Sequence, residues 1–284
     1  MQIEDTVCVE DTFRLYFNDE PLVELVASPQ QLRELGAGFV VCEGLAQDVD
    51  TVAVSGNRIR VSARASSQVE QELRSGGRLG VSRPPRKVTS SFVTNKECVF
   101  EVMSAIESEA WWQTGGTHCS VLFSDSNVIV ASSDVGRRNT IDKVVGFAIL
   151  NGVALSASII GCTGRQPAAM VSRVANAGIP ITISKAASTD KGISTAEEAG
   201  LTLICFARDG RFTAYTHPHR VYEIAEALGS ENGRLSGNPS DIRWRHEHTG
   251  TRMVVAYGGN KQAGHVQHRA CPSPGPLMAQ GAGI

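Results

Sequence analysis

The 284-residue chain lacks the features that mark several common protein classes. No apolar run reaches the roughly 18 residues that a membrane-spanning helix needs, so we expect no membrane anchor. A formal net charge of −2 leaves no basic excess, which disfavours a dedicated nucleic-acid-binding protein. The first residues are acidic and do not resemble a secretory signal. The seven cysteines lack paired spacing, which favours reduced thiols in a cytoplasmic protein.

Common signatures for nucleotides and metals are missing as well. The sequence has neither the glycine-lysine P-loop pattern nor G-x-G-x-x-G after its first strand, which excludes the standard P-loop and Rossmann sites. It also lacks the H-x-E and P-C-x-x-C pair of zinc deaminases, so no metal site is predicted.

What is present is a pattern of alternating strands and helices. With 42% apolar residues the chain can bury a core. From about residue 94 to residue 215, short apolar runs alternate with amphipathic stretches, which predicts a three-layer α/β domain with an antiparallel edge hairpin. Thr94 and Glu97 form a capping box at the start of its first helix.

A smaller unit precedes this domain and a polar tail follows it. Two hairpins flank a helix whose predicted N-cap is Ser28, and the glycine-rich residues 63–87 predict a long mobile loop. Beyond His219, one or two amphipathic turns at Val221 to Leu228 give way to a polar sequence without periodicity. We therefore expect a β-rich α+β domain at residues 1–90, the α/β domain at 91–222, and a largely disordered tail at 223–284.

Four polar clusters fall at the ends of predicted strands, which is the edge where open α/β sheets bind ligands. In the first cluster, residues 114–119, two adjacent glycines would present N–H groups to an anion, and His118 could donate to a phosphate or move a proton. A tight helix-to-strand turn explains the same residues equally well. The third and fourth clusters, residues 161–167 and 184–190, also join a strand to a helix, which suits anion binding.

The second cluster, residues 133–143, is the densest in charge. Arg137 and Arg138 precede a helix expected to begin near Asn139, where they would hold phosphate oxygens. Asp134 could accept from a guanine edge, a ribose or an arginine, and Asp142 would lie in the first helical turn, where a carboxylate suits the helix dipole. A solvated loop of ion pairs is the alternative.

Four stretches resemble the FdhD/NarQ family of formate dehydrogenase accessory proteins: TGGTHC, DVGRRNTIDKVVG, a TGR followed by AGIPITISKAAST, and AGLTLICFAR followed by TAYTHPHR. The N-terminal SPQQLRELGAGFVVCEGL is also similar to that family. The resemblance covers roughly residues 10–220 in consistent order. The tail lies outside it.

The resemblance implies a sulfurtransferase with a chaperone role. Such proteins take persulfide sulfur from a cysteine desulfurase and deliver it to the molybdenum or tungsten bis-pyranopterin guanine dinucleotide cofactor of a formate dehydrogenase catalytic subunit. The resemblance also implies a cytidine-deaminase-like fold, guanine nucleotide binding at residues 206–211, and a homodimer. The candidate binding residues are then Thr114, Gly115, Gly116, Asp134, Gly136, Arg137, Asn139, Asp142, Lys143, Thr163, Gly164, Arg165, Phe206, Ala207, Arg208, Asp209, Gly210 and Arg211.

The sequence departs from the family at the sulfur carrier. The family carries sulfur on a loop cysteine, but the matching residues 75–84 contain no thiol and have Gly77 near that position. Since a persulfide needs a thiolate, the remaining candidates are Cys98, in the first turn of a predicted helix that would lower its pKa, and Cys119, beside His118. Each also fits a small buried apolar residue.

Three functions stay open at this point. The first is an accessory sulfurtransferase with a displaced cysteine. The second is a non-catalytic chaperone or regulator that binds the cofactor. The third, a hydrolase on the deaminase-like scaffold, is disfavoured because the metal ligands are absent.

Overall fold

The structure, a computed structural model, describes residues 5–66, 71–74, 78–81, 85–229, 242–246 and 253–258. Its N-terminal part is a small sheet covered by helix α1 (Leu32–Cys42). The sheet has the order β2-β1-β4-β3, with strands β1 (Asp11–Phe17), β2 (Glu20–Ala27), β3 (Thr51–Ser55) and β4 (Arg58–Ser62). Phe13, Leu15 and Phe17 alternate along β1 and are buried in one core with Leu35 and Phe39 of α1. The two predicted hairpins are confirmed.

The larger sheet follows, after the short antiparallel pair β5 (Gln71–Arg74) and β6 (Arg78–Val81). Its strands are β7 (His118–Ser124), β8 (Asn127–Asp134), β9 (Ile159–Cys162), β10 (Ile181–Ser184), β11 (Thr202–Arg208), β12 (Arg211–Thr216), β13 (Ile242–His246) and β14 (Met253–Gly258), in the order β13-β14-β12-β11-β10-β9-β7-β8. The central strands β9, β10 and β11 are parallel, and the flanking strands are antiparallel to their neighbours. The predicted α/β class is confirmed.

Helices cover both faces of this sheet. They are α2 (Lys96–Ala105), α3 (Glu109–Thr114), α4 (Arg137–Leu150), α5 (Ala168–Asn176), α6 (Asp190–Ala199) and α7 (Tyr222–Gly229). Because strand side chains alternate between faces, Leu122 packs in one core with α4, α5 and α6, whereas Val121 packs in the other with α2 and α7. In the described part of the chain, none of the helices is both long and apolar enough to cross a membrane.

Two glycines bring α1 against α4 and thereby join the small sheet to the large one. A Cβ added at Gly38 would overlap the backbone carbonyl of Asp142, and one added at Gly146 would overlap that of Glu34. Val41 and Cys42 at the end of α1 belong to the same core as α4 and α5. The two predicted domains therefore share an interface in which the backbones are in contact.

Three predicted helix starts are wrong. Helix α1 begins at Leu32 after Gln31, which has a left-handed φ of 55°, so Ser28 is not its N-cap. The N-cap of α2 is Asn95 rather than Thr94, since Asn95 Oδ1 accepts from the Cys98 backbone N–H at 2.8 Å. Helix α4 begins at Arg137 rather than near Asn139, so Asp142 lies beyond its first turn.

Two segments differ from the sequence expectation. The predicted loop at residues 63–87 contains the paired strands β5 and β6, while Gly77 lies outside the described residues. The predicted disordered tail contains β14, which pairs with β12, and β13, which pairs with β14. The short apolar strand Met253–Gly258 can pair its backbone N–H and C=O groups with the outer side of β12. The polar composition of the tail as a whole hides this short apolar stretch.

Candidate functional site

The predicted clusters meet at one edge of the large sheet. The register pairs His118 at the start of β7 with Asp134 at the end of β8, and Cys162 at the end of β9 with Ser184 at the end of β10. Since β7 runs antiparallel to β9, its first residue lies beside the loop that follows β9. The turn after β11 shares this edge. We call this edge of the sheet the polar edge. It runs from the end of β8, past the start of β7 and the ends of β9 and β10, to the end of β11, and it spans four strand spacings, about 19 Å.

The glycine pair at the start of the polar edge forms a tight turn. Gly115 has a φ of 63° and caps α3 with its N–H on the Trp111 carbonyl, while the Gly116 N–H donates to Thr114 Oγ1 at 3.2 Å. Both N–H groups are therefore used within the chain. The structure supports the turn interpretation for these glycines rather than the anion-binding one.

His118 lies beside Thr163 at the centre of the polar edge. Its Nδ1 is 3.1 Å from Thr163 Oγ1, which also accepts from the Cys119 backbone N–H at 3.1 Å. Partial burial, and then the Arg137 charge, lower the pKa of His118, with Asp134 opposing them. The imidazole is therefore mainly neutral at pH 7, so one ring nitrogen donates a hydrogen bond and the other accepts one.

Arg137 crosses the loop after β9. A Cβ added at Gly164 would lie 3.0 Å from both Cβ and Cδ of Arg137, so glycine is what allows the arginine to lie there. Its Nε is buried and has no hydrogen-bond partner among the residues that the structure describes. Arg165, the next residue along the loop, is exposed.

The helices α4 and α5 both begin beside the loop that follows β9. Within the described residues, neither helix has a side-chain cap: the N-caps are Gly136 and Pro167. Helix starts carry unpaired N–H groups and partial positive charge. Two such starts, with Arg137 between them and Arg165 beside them, make the middle of the polar edge suited to a phosphate.

Asp134 lies beneath the polar edge and is fully buried. Its Oδ1 accepts from the Gly136 backbone N–H and from Asn139 Nδ2, both at 2.8 Å, and its Oδ2 accepts from Lys143 Nζ at 2.6 Å and from the Ser28 backbone N–H at 3.0 Å. Both oxygens are therefore occupied by the protein. The sequence predicts that Asp134 accepts from a ligand or an arginine, but in the structure it fixes the start of α4 through Gly136 and Asn139.

Asp142 and Lys143 are also in the interior. Asp142 accepts from Arg173 at 2.5 Å, and the same guanidinium donates to Glu43 at the end of α1. Burial raises the pKa of Asp142 to about 6, although Arg173 acts against that rise. Burial lowers the pKa of Lys143, and its contact with Asp134 opposes this. These groups support the site from below, and Arg173 and Glu43 gave no sign of this role in the sequence.

The two candidate thiols are not at the polar edge. Cys119 is 1% exposed and packs with Val99 and Val102 of α2, because adjacent residues in β7 point to opposite faces and its neighbour His118 points to the other one. Burial raises the pKa of Cys119. Cys98 packs against the same core, and partial burial raises its pKa, opposite to the predicted direction.

The last residues of β11 have an unusual backbone. Phe206 has a left-handed φ of 52° at an irregularity between β11 and β12, and its N–H donates to the Ala186 carbonyl of the loop after β10. Ala207 is buried, whereas Arg208, Asp209, Gly210 and Arg211 are exposed around a turn. The turn was predicted from Asp209-Gly210; the bulge was not, because its cause lies in the neighbouring loop.

Known proteins are similar to this chain over most of its length. A family model described as the FdhD/NarQ family matches residues 8–222. "Protein FdhD" of Methanocaldococcus jannaschii is 34% identical over 215 residues, which cover 75% of this chain and 89% of that protein. "Sulfur carrier protein FdhD" of Methanothermobacter thermautotrophicus is 31% identical over 234 residues, with 78% and 93% covered.

A solved structure is also similar. It comes from Desulfotalea psychrophila and is described as a formate dehydrogenase accessory protein. The two chains superpose with a TM-score of 0.62 and 27% identity, covering 77% of this chain and 91% of the other.

Proposed function

The chain belongs to the FdhD/NarQ family, and from that premise we propose that it is an accessory protein that supplies sulfur for a formate dehydrogenase. Its substrate would be the molybdenum or tungsten bis-pyranopterin guanine dinucleotide, bound along the polar edge. The sulfur would come from a cysteine desulfurase, and the product would pass to the formate dehydrogenase catalytic subunit. We further propose that the α/β domain is of the cytidine-deaminase-like kind and that the protein works in the cytoplasm as a homodimer.

The observation that carries the proposal is the pair of helix starts beside Arg137. Arg137, the first residue of α4, packs on Gly164 in the loop that leads into α5, and Arg165 is exposed in the same loop. A diphosphate has the charge and the acceptor oxygens that such donors require. Gly164 lets this part of the loop approach a ligand closely.

The length of the polar edge also fits the proposed substrate. Four strand spacings, about 19 Å, separate β8 from β11. An extended dinucleotide could contact Arg137 and His118 near one end and the exposed turn after Phe206 near the other. His118 would act as a neutral hydrogen-bonding group, since its lowered pKa keeps a second positive charge away from Arg137.

A second function is favoured by the missing loop cysteine. Residues 75–84 contain no thiol, so a chaperone that binds the cofactor without carrying sulfur would use the same polar edge. The two functions share the nucleotide site and differ in whether any cysteine of the chain accepts sulfur.

Calorimetry with GDP tests the shared part of the proposal. We expect GDP to bind, with an affinity that falls as salt rises, because its phosphates would meet exposed and half-buried cations. Arg137→Ala should weaken binding by more than about 1.5 kcal/mol, the scale of a charge-assisted hydrogen bond. Arg58→Ala, at an exposed residue of β4 in the small sheet, is the matched control and should bind as the wild type does. Unchanged affinity in Arg137→Ala would remove Arg137 from the site.

A further inference from the structure

Cys8 lies in contact with the glycine turn of the polar edge. It belongs to the segment that precedes β1, is only partly buried, and forms no disulfide. A Cβ added at Gly116 would lie 2.5 Å from Cys8 Sγ, so the sulfur rests on the Cα hydrogens of that glycine. Gly116 is two residues before His118 in the chain. The contact brings a thiol from the N-terminal segment to the start of the proposed site.

The other cysteines that the structure describes are placed differently. Cys42, Cys119, Cys162 and Cys205 are buried, and burial raises the pKa of Cys162 to about 12. Cys98 is partly exposed but belongs to α2, on the opposite face of the sheet from α4. Among the described cysteines, Cys8 is therefore the one that is both accessible and at the polar edge.

Thr117, between Gly116 and His118, is a second and independent sign of a ligand here. It is 9% exposed, and its buried Oγ1 has no hydrogen-bond partner within the described ranges. A buried hydroxyl without a partner is costly, and such groups are usually paired. A polar group bound beside this residue would supply the missing partner.

The surroundings of Cys8 also suit a macromolecular donor. Its two neighbours in sequence, Val7 and Val9, are 74% and 62% exposed. Trp111 and Trp112, on the short helix that ends at the glycine turn, are 41% and 65% exposed, with their rings packed edge to face. Exposed apolar groups of this size are typical of protein contacts, and tryptophan is common among the residues that dominate them.

We propose that Cys8 is the sulfur-accepting thiol of this protein, and this rests on the proposed function. The donor is a protein-bound cysteine persulfide. The Cys8 thiolate attacks the outer sulfur of that persulfide, a new S–S bond forms on Cys8, and the donor's own S–S bond breaks. The electron pair of the broken bond leaves on the donor sulfur as a thiolate, which takes up the proton that Cys8 released. No external oxidant or reductant is needed.

The test loads sulfur onto the full chain with inorganic polysulfide and locates it by alkylation and peptide mass spectrometry. We expect one added sulfur on Cys8 in the wild type and in Cys98→Ser, the control for a partly exposed thiol elsewhere. Cys8→Ser should lose at least nine-tenths of the added sulfur. Persulfide at the wild-type level in Cys8→Ser, or on another cysteine of the wild type in place of Cys8, would overturn the proposal.

A second variant tests the position of the thiol. Gly116→Ala places a methyl carbon 2.5 Å from Cys8 Sγ, which is too close, so the thiol must move away. The rate of sulfur uptake should then fall severalfold while Cys8 itself remains. An unchanged rate would count against the contact.

GDP calorimetry on the same samples separates the proposed nucleotide site from the proposed sulfur-accepting thiol. Loss of sulfur uptake in Cys8→Ser with retained GDP binding supports both. Sulfur uptake on Cys8 without any GDP binding would reject the nucleotide site and keep the thiol, and GDP binding without uptake on any cysteine would reject the thiol and leave the chaperone.

Discussion

Two groups of charged side chains lie on the same helix in opposite surroundings. At the start of α4, Arg137 lies across Gly164 with an unpaired Nε at the polar edge. One turn further, Asp142 and Lys143 are fully buried and paired with Arg173 and Asp134. Arg137 is half-buried, so the exposed part of its side chain can reach a ligand, whereas the charges of Asp142 and Lys143 are paired within the protein. One helix therefore both forms the candidate site and anchors it in the protein. Removing the charge of Arg137 should weaken ligand binding, whereas removing the charge of Asp142 or Lys143 should destabilise the fold.

The largest effect should come from removing the buried cation. Lys143→Ala leaves Asp134 in the interior without its ion-pair partner, which should lower the free energy of unfolding by about 3–5 kcal/mol. Urea denaturation measures this loss. The double variant Asp134→Asn/Lys143→Met removes both charges and should lose clearly less. A loss below about 1 kcal/mol in Lys143→Ala would show that the buried group is not an anchor.

The next effect is a pH dependence of the unfolding free energy that comes from Asp142 in the buried group. Burial raises the pKa of Asp142 to about 6, whereas an aspartate in the unfolded chain titrates near about 3.9. Between these values the folded state binds the proton more tightly. The contribution of Asp142 to the free energy of unfolding is therefore highest below about pH 4 and falls by up to about 3 kcal/mol as pH rises to 6 and above.

Asp142→Asn isolates that contribution from those of the other carboxyl groups. The free energy of unfolding of the wild type minus that of the variant should fall from pH 4 to pH 7, as measured by urea denaturation at each pH. A difference that stays level or rises would mean that Arg173 holds the carboxylate charged throughout.

A smaller effect is expected where α1 meets α4. Gly38→Ala would push a methyl group into the Asp142 carbonyl and should cost about 1–3 kcal/mol of unfolding free energy. Ser104→Ala, on the exposed side of α2, is the control and should change stability by less than about 0.5 kcal/mol. Equal stability of the two variants would show that the helices can separate without cost.

The smallest effect on folding should come from Arg137→Ala, the variant that is expected to weaken GDP binding. Its loss of packing on Gly164 should cost no more than about 1 kcal/mol of unfolding free energy. Thermal denaturation of this variant beside Lys143→Ala provides the comparison. If Arg137→Ala unfolds as readily as Lys143→Ala, the division of α4 into a binding part and an anchoring part is wrong.

The order of elements and the position of the polar edge were readable from the sequence, because both depend on local patterns. Alternating apolar residues give β1 its buried face, and the clusters at residues 161–167 and 184–190 follow strands that are parallel. The sequence did not show which charged residues within 133–143 are paired inside the protein and which lie at the polar edge. Asp134 is fixed by Ser28, which is 106 residues away, and Asp142 by Arg173, 31 residues away.

Helix starts and the placement of Cys8 were missed for a related reason. Ser28 has the chemistry of an N-cap, but its Oγ accepts from the Val135 backbone N–H and its own N–H donates to Asp134, and these tertiary contacts outweigh a local preference. The contact between Cys8 and Gly116 joins segments that are far apart in the chain, and the glycine had a sufficient local explanation as a turn residue. Neither residue carries a local signal for the contact.

The pairing of β14 with β12 has a consequence for how the molecule behaves in solution. The family match ends at residue 222, and a chain cut there would leave the backbone donors and acceptors on the outer side of β12 without the partner that β14 provides. The unpaired edge of such a strand can form hydrogen bonds with a strand of another molecule, and aggregation commonly begins in this way. Residues beyond the family boundary therefore shield the sheet, and shortened forms of this protein should precipitate at concentrations that the full chain tolerates.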